Sequence, residues 1–345
     1  MAITIDLRVP PCEPATEVAA FVRQCEEAGF DGVGILDSQL YERDVFVTMA
    51  LAAQATSRIR VVSAVTNPMT RHPSVLASAA KTVSELTPGR VEIWVGRGYT
   101  AVQSIGEKPA TVRQMRESVL SLKRLMAGEE MSFNGTTSRL RFGDADVPPV
   151  YISANGPRTM EVAGEVADGA VLMIGLHPGA IKLARHHLDE GARRAGRDPA
   201  EVKLILTATT IIHEDQREAR EMARPLCISR LMDNSHARWL EASELKLGSL
   251  ELPKELWEIF PDISHAEDQE QARKVCAFLP DELLAQIADT IGLIGTPEHC
   301  VKRIKEAEAS GIDHLYLMTA NTFAFPHEEL RAFKETIFPM LAATV

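Results

Sequence analysis

Small and polar residues gather wherever an apolar run of this chain ends. Their types suit a large flat ligand that needs close backbone approach and a few directed hydrogen bonds. Residues 59–73, IRVVSAVTNPMTRHP, show this most clearly: β-branched residues lead into Ala64, Val65, Thr66 and Asn67 before Pro68. Asp37 ends another apolar run and could hydrogen-bond a ligand or move a proton, or simply cap the next helix. Gly96-Arg97-Gly98-Tyr99 sets an Arg between two glycines. That arrangement lets the guanidinium fork onto a phosphate while backbone N–H groups face it, although a tight turn with an exposed Arg has the same sequence. Ser153-Ala154-Asn155-Gly156-Pro157 precedes a helix, whose N–H groups and dipole attract phosphate; plain N-capping uses the same residue types. Asp6 and Arg8, Gly175 to His177, 207–210 and 319–321 complete the apparent strand exits, and His72 lies beside the one at 66–67. His72 and His177 lie near strand exits and could take part in the chemistry there, although a loop His is more often a surface or capping group than a catalyst. HExxH, a GxSxG triad and a P-loop are missing, and nothing has metal-ligand spacing. Hydrolysis and metal catalysis therefore have no support in the sequence.

The bulk properties narrow the class. At 345 residues, 45% hydrophobic and 25% charged, the chain is of ordinary globular composition and long enough for a large core. A net charge of −11 without a basic stripe argues against nucleic acid as a partner. The five cysteines lie far apart with no CxxC pair, which argues against a disulfide framework and fits a reducing cytoplasm. The start, MAITIDLRVPP, lacks the pattern of a signal peptide, and no apolar stretch reaches membrane-spanning length, so no membrane partner is expected.

The elements that would position these residues alternate regularly. Strands are expected at 3–7, 32–36, 59–65, 91–95, 150–153, 169–173, 202–210 and 314–318, with amphipathic helices between them. A hairpin is expected over 133–142, turning at Asn134-Gly135. From 228 to 280 the pattern blurs, with Trp239, Trp257 and Phe260 among charges and prolines, and it reads as a helical insertion near the mouth of the fold. Eight strands alternating with helices imply an α/β fold, a (β/α)8 TIM barrel, as a single domain over 1–345. A doubly wound sheet would carry an early GxGxxG, which is missing.

Five blocks together resemble the bacterial luciferase-like superfamily of flavin- and deazaflavin-dependent oxidoreductases, in the branch similar to methylenetetrahydromethanopterin reductase. They are EEAGFDGVGILDSQL (26–40), IRVVSAVTNPMTRHPSVLASAAKTVSELTPGRVEIWVGRG (59–98), KPATVRQMRESVLSLKRLMAGE (108–129), PVYISANGPRTMEVAGEVADGAVLM (149–173) and GTPEHCVKRIKEAEASGIDHLYL (295–317). The resemblance implies a flavin or deazaflavin ring in the barrel mouth, backed by a bulge, often with a cis peptide, at Ala64-Val65. It places the cofactor phosphate at Gly96–Gly98 and at Ser153–Gly156, and implies a homodimer formed through helices beside the barrel. Relatives often have Asp-His after the second strand, where this chain has Asp37-Ser38.

Three functions are then open. The first is hydride transfer between coenzyme F420 and a small organic substrate, with Asp37 as acid or base, Arg97 on the phosphate, and Tyr99 and His177 touching substrate or cofactor. Asp37, Ala64, Val65, Thr66, Asn67, Gly96, Arg97, Gly98, Ser153, Ala154, Asn155, Gly156 and Gly175 would line the cofactor. The second is a two-component monooxygenase that uses reduced FMN, O2 and a partner flavin reductase. The third is a flavin-binding barrel without catalysis.

Overall fold

The computed structural model describes residues 3–232, 234–247, 250–260, 262–264 and 266–343. Its strands are β1 (Thr4–Val9), β2 (Gly32–Ile35), β3 (Arg60–Thr66), β4 (Val91–Val95), β5 (Met131–Phe133), β6 (Thr136–Ser138), β7 (Val150–Ser153), β8 (Gly169–Leu172), β9 (Lys203–Ile212), β10 (Gly292–Gly295) and β11 (His314–Thr319). Nine of them form one sheet in the order β10-β9-β11-β1-β2-β3-β4-β7-β8, with β8 pairing back onto β9. This is the (β/α)8 barrel that the alternation implied. β10 is an addition, a short Gly-bounded run beside the second half of β9, with Gly292 opposite Thr209. The strands VVSAVT and VEIWV are almost wholly buried, as strands covered on both faces must be.

Backbone contacts group the chain into two compact units. The first holds Asp6–Leu172 and His186–Ile205. Capping chemistry sets the ends of its helices. Pro73 opens Pro73–Leu86, a Thr111–Gln114 capping box opens Val112–Met126, and Gly29, at φ 107°, ends Ala15–Ala28. The hairpin forms with β5 against β6, closed by Asn134 at φ 50° and Gly135 at φ 87°. Asp6 is not at a strand exit. β1 runs on to Val9, and the parallel register sets Asp6 opposite Gly32, which faces Arg60, both at strand starts. There Asp6 accepts from Arg60 at 2.6 Å, Arg60 also reaches Glu92 at 3.1 Å, and Trp94 Nε1 donates to Glu92 at 2.9 Å. Gly32 is required: a Cβ would lie 2.5 Å from Asp6 Oδ1.

The second unit holds Met1–Ile5, Met173–Arg185 and Leu206–Val345. The blurred 228–280 region begins inside the helix Gln216–Met232 and continues with Asn234–Ala242 and Gln269–Val275; positions 233, 248, 249, 261 and 265 lie outside the described residues. Its residues Ile228, Leu240, Leu256, Ile259 and Ile263 pack in one cluster with Leu284 and Ile287 of the helix Asp281–Ile291 and with Ile211 of β9 and Ile294 of β10. Arg224 ties this cluster together, donating to Glu221 at 2.6 Å, to Asp281 at 2.8 Å and to the Leu279 carbonyl. The chain closes with a helix His327–Ala332, a π-helical turn Phe333–Ile337 and a short helix Phe338–Ala342 rather than one continuous helix. Pro339 has no N–H to continue the regular ladder.

Candidate active site

Within the first unit, β3 decides the local geometry. Its pairing with β4 shifts register between Ser63 and Thr66, and the Ala64–Val65 peptide is cis. The bulge sends Val65 towards β4, where a Cβ on Gly96 would lie 2.6 Å from Val65 Cγ2 and 3.7 Å from Ser153 Cβ. Gly96 thus makes room for protein. Its N–H is also spent, donating to the Thr66 carbonyl at 2.8 Å, and the Ala154 N–H donates to Val171 at 3.1 Å. These two amides belong to the sheet, not to an anion. Gly98, at φ 85°, and Gly156, whose neighbourhood is open for 4 Å around a Cβ position, remain as the permissive positions of the two loops.

Asp37 sits at the end of β2, its side chain 2% exposed. Its Oδ2 accepts from Thr66 Oγ1 at 2.7 Å and from Arg71 at 2.5 Å. Arg71 reaches on to Asp44 at 2.8 Å and lies 5.4 Å over the Phe46 ring. Asp44 also caps the helix Val45–Ala55, accepting from the Phe46 and Val47 N–H groups at 3.0 and 3.1 Å. Burial alone would lower the Arg71 pKa, but hydrogen bonds and charge from Asp37 and then Asp44 hold it above its ordinary value. Burial opposes ionisation of Asp44 too, and the Val47 N–H and Arg71 outweigh it, keeping that carboxyl low.

Asn67 is 1% exposed. Its Oδ1 accepts from the Met69 and Thr70 N–H groups at 3.0 and 2.9 Å, while its Nδ2 has no partner among the described residues. A Cβ on Gly98 would press on Asn67 Cβ at 3.0 Å. Arg97 donates through Nε to the Ala110 carbonyl at 2.5 Å and stacks 5.7 Å from the Tyr99 ring. Tyr99 is exposed and opens a short helix, Tyr99–Gln103, that the sequence pattern did not reveal. Beside these groups lies an open cavity of about 510 Å³ lined by Gln39, Met69, Thr70, Arg71, Val102, Ile105 and Glu107.

Sequence reasoning missed Glu42. It lies in the turn after Asp37, with its N–H on the Ser38 carbonyl at 2.9 Å. Its Oε2 is buried without a hydrogen-bond partner among the described residues. Burial pushes its carboxyl up to about 8, with Arg8 opposing and Asp37 adding to the rise. The only sequence signal was a carboxylate five positions beyond a strand-ending Asp.

The second unit places the remaining candidates in structural roles. His177 Nδ1 accepts from the Gly179 N–H at 3.2 Å at the start of Pro178–Arg194, which is the capping alternative. Gly175, at φ 83°, leaves room for the Thr290 carbonyl, 2.7 Å from where a Cβ would be. His72, in the first unit, likewise accepts from the Ser74 N–H, at 3.3 Å, and caps its helix. Among the described residues no group of three or more His, Cys, Asp or Glu could hold a metal, and no helix is long and apolar enough to cross a membrane.

The sequence profile of luciferase-like monooxygenases matches residues 3–314. The chain belongs to that family. Over 323 residues it is 28% identical to the 5,10-methylenetetrahydromethanopterin reductase of Methanolobus tindarius, covering 91% of this chain and 93% of that protein. It is 28% identical to the F420-dependent glucose-6-phosphate dehydrogenase of Beutenbergia cavernae, covering 95% and 94% of the two chains. The structure of the coenzyme F420-dependent tetrahydromethanopterin reductase from Methanopyrus kandleri superposes with a TM-score of 0.77 at 21% identity, over 99% of this chain and 100% of that one. The luciferase-like resemblance and the barrel are thereby borne out.

Proposed function

We propose that this protein is an oxidoreductase that transfers hydride between coenzyme F420 and a small organic substrate. The observation that carries the reading is Asn67, a buried amide with a donor left unmatched beside the bulged end of β3. It occurs in a chain that aligns almost end to end with a relative named as an F420-dependent dehydrogenase. Leaving a buried donor unmet costs about 1–3 kcal/mol, which a ligand carbonyl would recover. The residues fit the cofactor: Val65 would back the ring, Asn67 would donate to its edge, and Ser153, Asn155 and Gly156 with Gly98 and Arg97 would hold the phosphate end. When bound, coenzyme F420 supplies a two-electron hydride donor or acceptor. The chain's own residues bind and orient it. Asp37 and Thr66 fix the end of β3 against β2, and Arg71 neutralises the carboxylate that would otherwise repel an anionic ligand.

We also infer a homodimer. The helix Val45–Ala55 has no charged residue, yet Val47 is 58% and Leu51 37% exposed on one face, with Val75 of Pro73–Leu86 at 55%. A helix that is apolar all round belongs in an interior, and a second copy supplies one.

Titration of the purified protein with coenzyme F420 and with FMN, each in oxidised and reduced form, followed by absorbance and fluorescence, tests the reading. Saturable binding of F420, weakened in Asn67→Ala, is expected. Binding of reduced FMN alone, with oxygen uptake when a flavin reductase is added, would replace it with the monooxygenase reading. Tight flavin binding with no turnover would replace it with the binding-protein reading.

A further inference from the structure

The cavity beyond the exits of β2, β3 and β4 has hydrogen-bond donors and acceptors in unequal supply. The donors in its lining are already used within the protein. Gln39 Nε2 donates to the Ala101 carbonyl at 2.6 Å. The Thr70 N–H and Oγ1 both serve Asn67 Oδ1, at 2.9 and 3.2 Å. Arg71 spends its two terminal nitrogens on Asp37 and Asp44. The acceptors are left over. A carbonyl oxygen cannot donate, so the bond to Ala101 leaves Gln39 Oε1 as the open end of that amide. Glu107 is exposed, and among the described residues its carboxylate has no hydrogen bond or ion pair.

Charge and shape point the same way. Asp37 and Asp44 outnumber the Arg71 guanidinium between them, and Glu107 adds a further carboxylate, so this wall is negative. Met69, Val102 and Ile105 make the rest of the lining apolar, with Met69 38% and Ile105 48% exposed. Two lining residues also touch groups assigned to the cofactor. Val102 Cγ2 lies 2.4 Å from where a Cβ on Gly98 would be, and Thr70 holds Asn67. A volume of about 510 Å³ is that of a small-molecule site. Such a wall complements an apolar body with a positive, N–H-donating head, and it repels carboxylates and phosphates.

We propose that this cavity binds the organic substrate and that the class it takes is an apolar compound carrying a protonated amine. Glu107 is the charge partner of the ammonium, and Gln39 Oε1 accepts one of its N–H groups. Glu107 therefore sets the selectivity. Naming this ligand as the substrate rests on the F420 reading above; its binding needs no coenzyme.

The experiment uses the full chain without coenzyme, labelled with 13C-methyl methionine. The probes share one ring: cyclohexylammonium, cyclohexanol and cyclohexanecarboxylate. The Met69 methyl signal, assigned by its loss in Met69→Leu, reports on the cavity wall. It should shift saturably with cyclohexylammonium, bound about 5-fold more tightly than cyclohexanol, and stay still with cyclohexanecarboxylate. Glu107→Gln should abolish that preference and leave cyclohexanol binding unchanged. Glu107→Lys should make the carboxylate the better ligand, and added salt should weaken only the charged probe. Equal affinity for the three probes, an unaltered preference in Glu107→Gln, or a Met69 signal that no probe moves would overturn the proposal. An ammonium preference in a protein that fails to bind coenzyme F420 would overturn instead the function on which the word substrate rests.

Discussion

Replacing Arg71 by Met tests the physical account of the site most directly. In the native protein one guanidinium nitrogen lies 2.5 Å from Asp37 Oδ2 and another 2.8 Å from Asp44. The two pairs differ in burial. The Asp37 side chain is 2% exposed and that of Asp44 49%. An exposed pair contributes about 0–1 kcal/mol, whereas removing one partner of a buried pair costs about 3–5 kcal/mol, because a carboxylate is left in low dielectric. Loss of the stack on Phe46 adds about 0.5–1 kcal/mol. Thr66 still donates to Asp37, so the expected total for Arg71→Met is about 3–4 kcal/mol. Urea unfolding followed by circular dichroism would read this as a lower midpoint at constant slope. Asp37→Asn in the Arg71→Met background should cost much less than the sum of the two single changes, with a coupling of about 2–3 kcal/mol. A single-variant loss below about 1 kcal/mol, or strict additivity, would refute the idea that Arg71 neutralises a buried charge.

The remaining expectations concern Glu42, Gly98 and the apolar helix. The Glu42 carboxyl is raised from an ordinary 4.5 to about 8, so the folded protein holds a proton that the unfolded chain releases. Wild-type stability should therefore fall as pH rises from 4.5 towards 8; Glu42→Gln should flatten that slope and gain up to about 3 kcal/mol at pH 7 but nothing at pH 4, as thermal melts across pH would show. Gly98→Ala puts a side chain at φ 85°, with its Cβ 2.4 Å from Val102 Cγ2 and 3.0 Å from Asn67 Cβ, so stability should drop by about 1–3 kcal/mol, and F420 titration should show weaker binding as Val102 and Asn67 are displaced. Val47→Asp should convert a dimer to a folded monomer in light scattering with unchanged circular dichroism; a wild-type monomer would remove the interface assigned to Val45–Ala55.

Several elements were legible because their determinants are local. Pro73 and Gly29 mark helix ends by backbone chemistry that acts within a turn. The buried β-branched runs VVSAVT and VEIWV mark strands covered on both faces. The order of these elements implied the barrel, and the residues of 59–73 and 96–99 marked where polar groups would meet. Shorter elements escaped. Tyr99–Gln103 and Gly292–Gly295 are too brief for periodicity to register, and the closing helix splits at Phe333–Ile337 ahead of Pro339.

What the sequence by itself determined was the alternation of strands and helices, the polar strand exits and the family to which they belong. Tertiary structure alone decided which of those polar groups are spent. Parallel register moved Asp6 to the strand starts beside Arg60; β3's bulge turned Gly96 into space for Val65; pairing with Arg71 fixed Asp37 as an acceptor. Glu42 gained its shifted carboxyl through burial, with Arg8 opposing the rise and Asp37 adding to it. The physical reason is range. Capping and periodicity act over a few neighbouring residues, whereas desolvation, ion pairing and steric room depend on what the fold brings alongside.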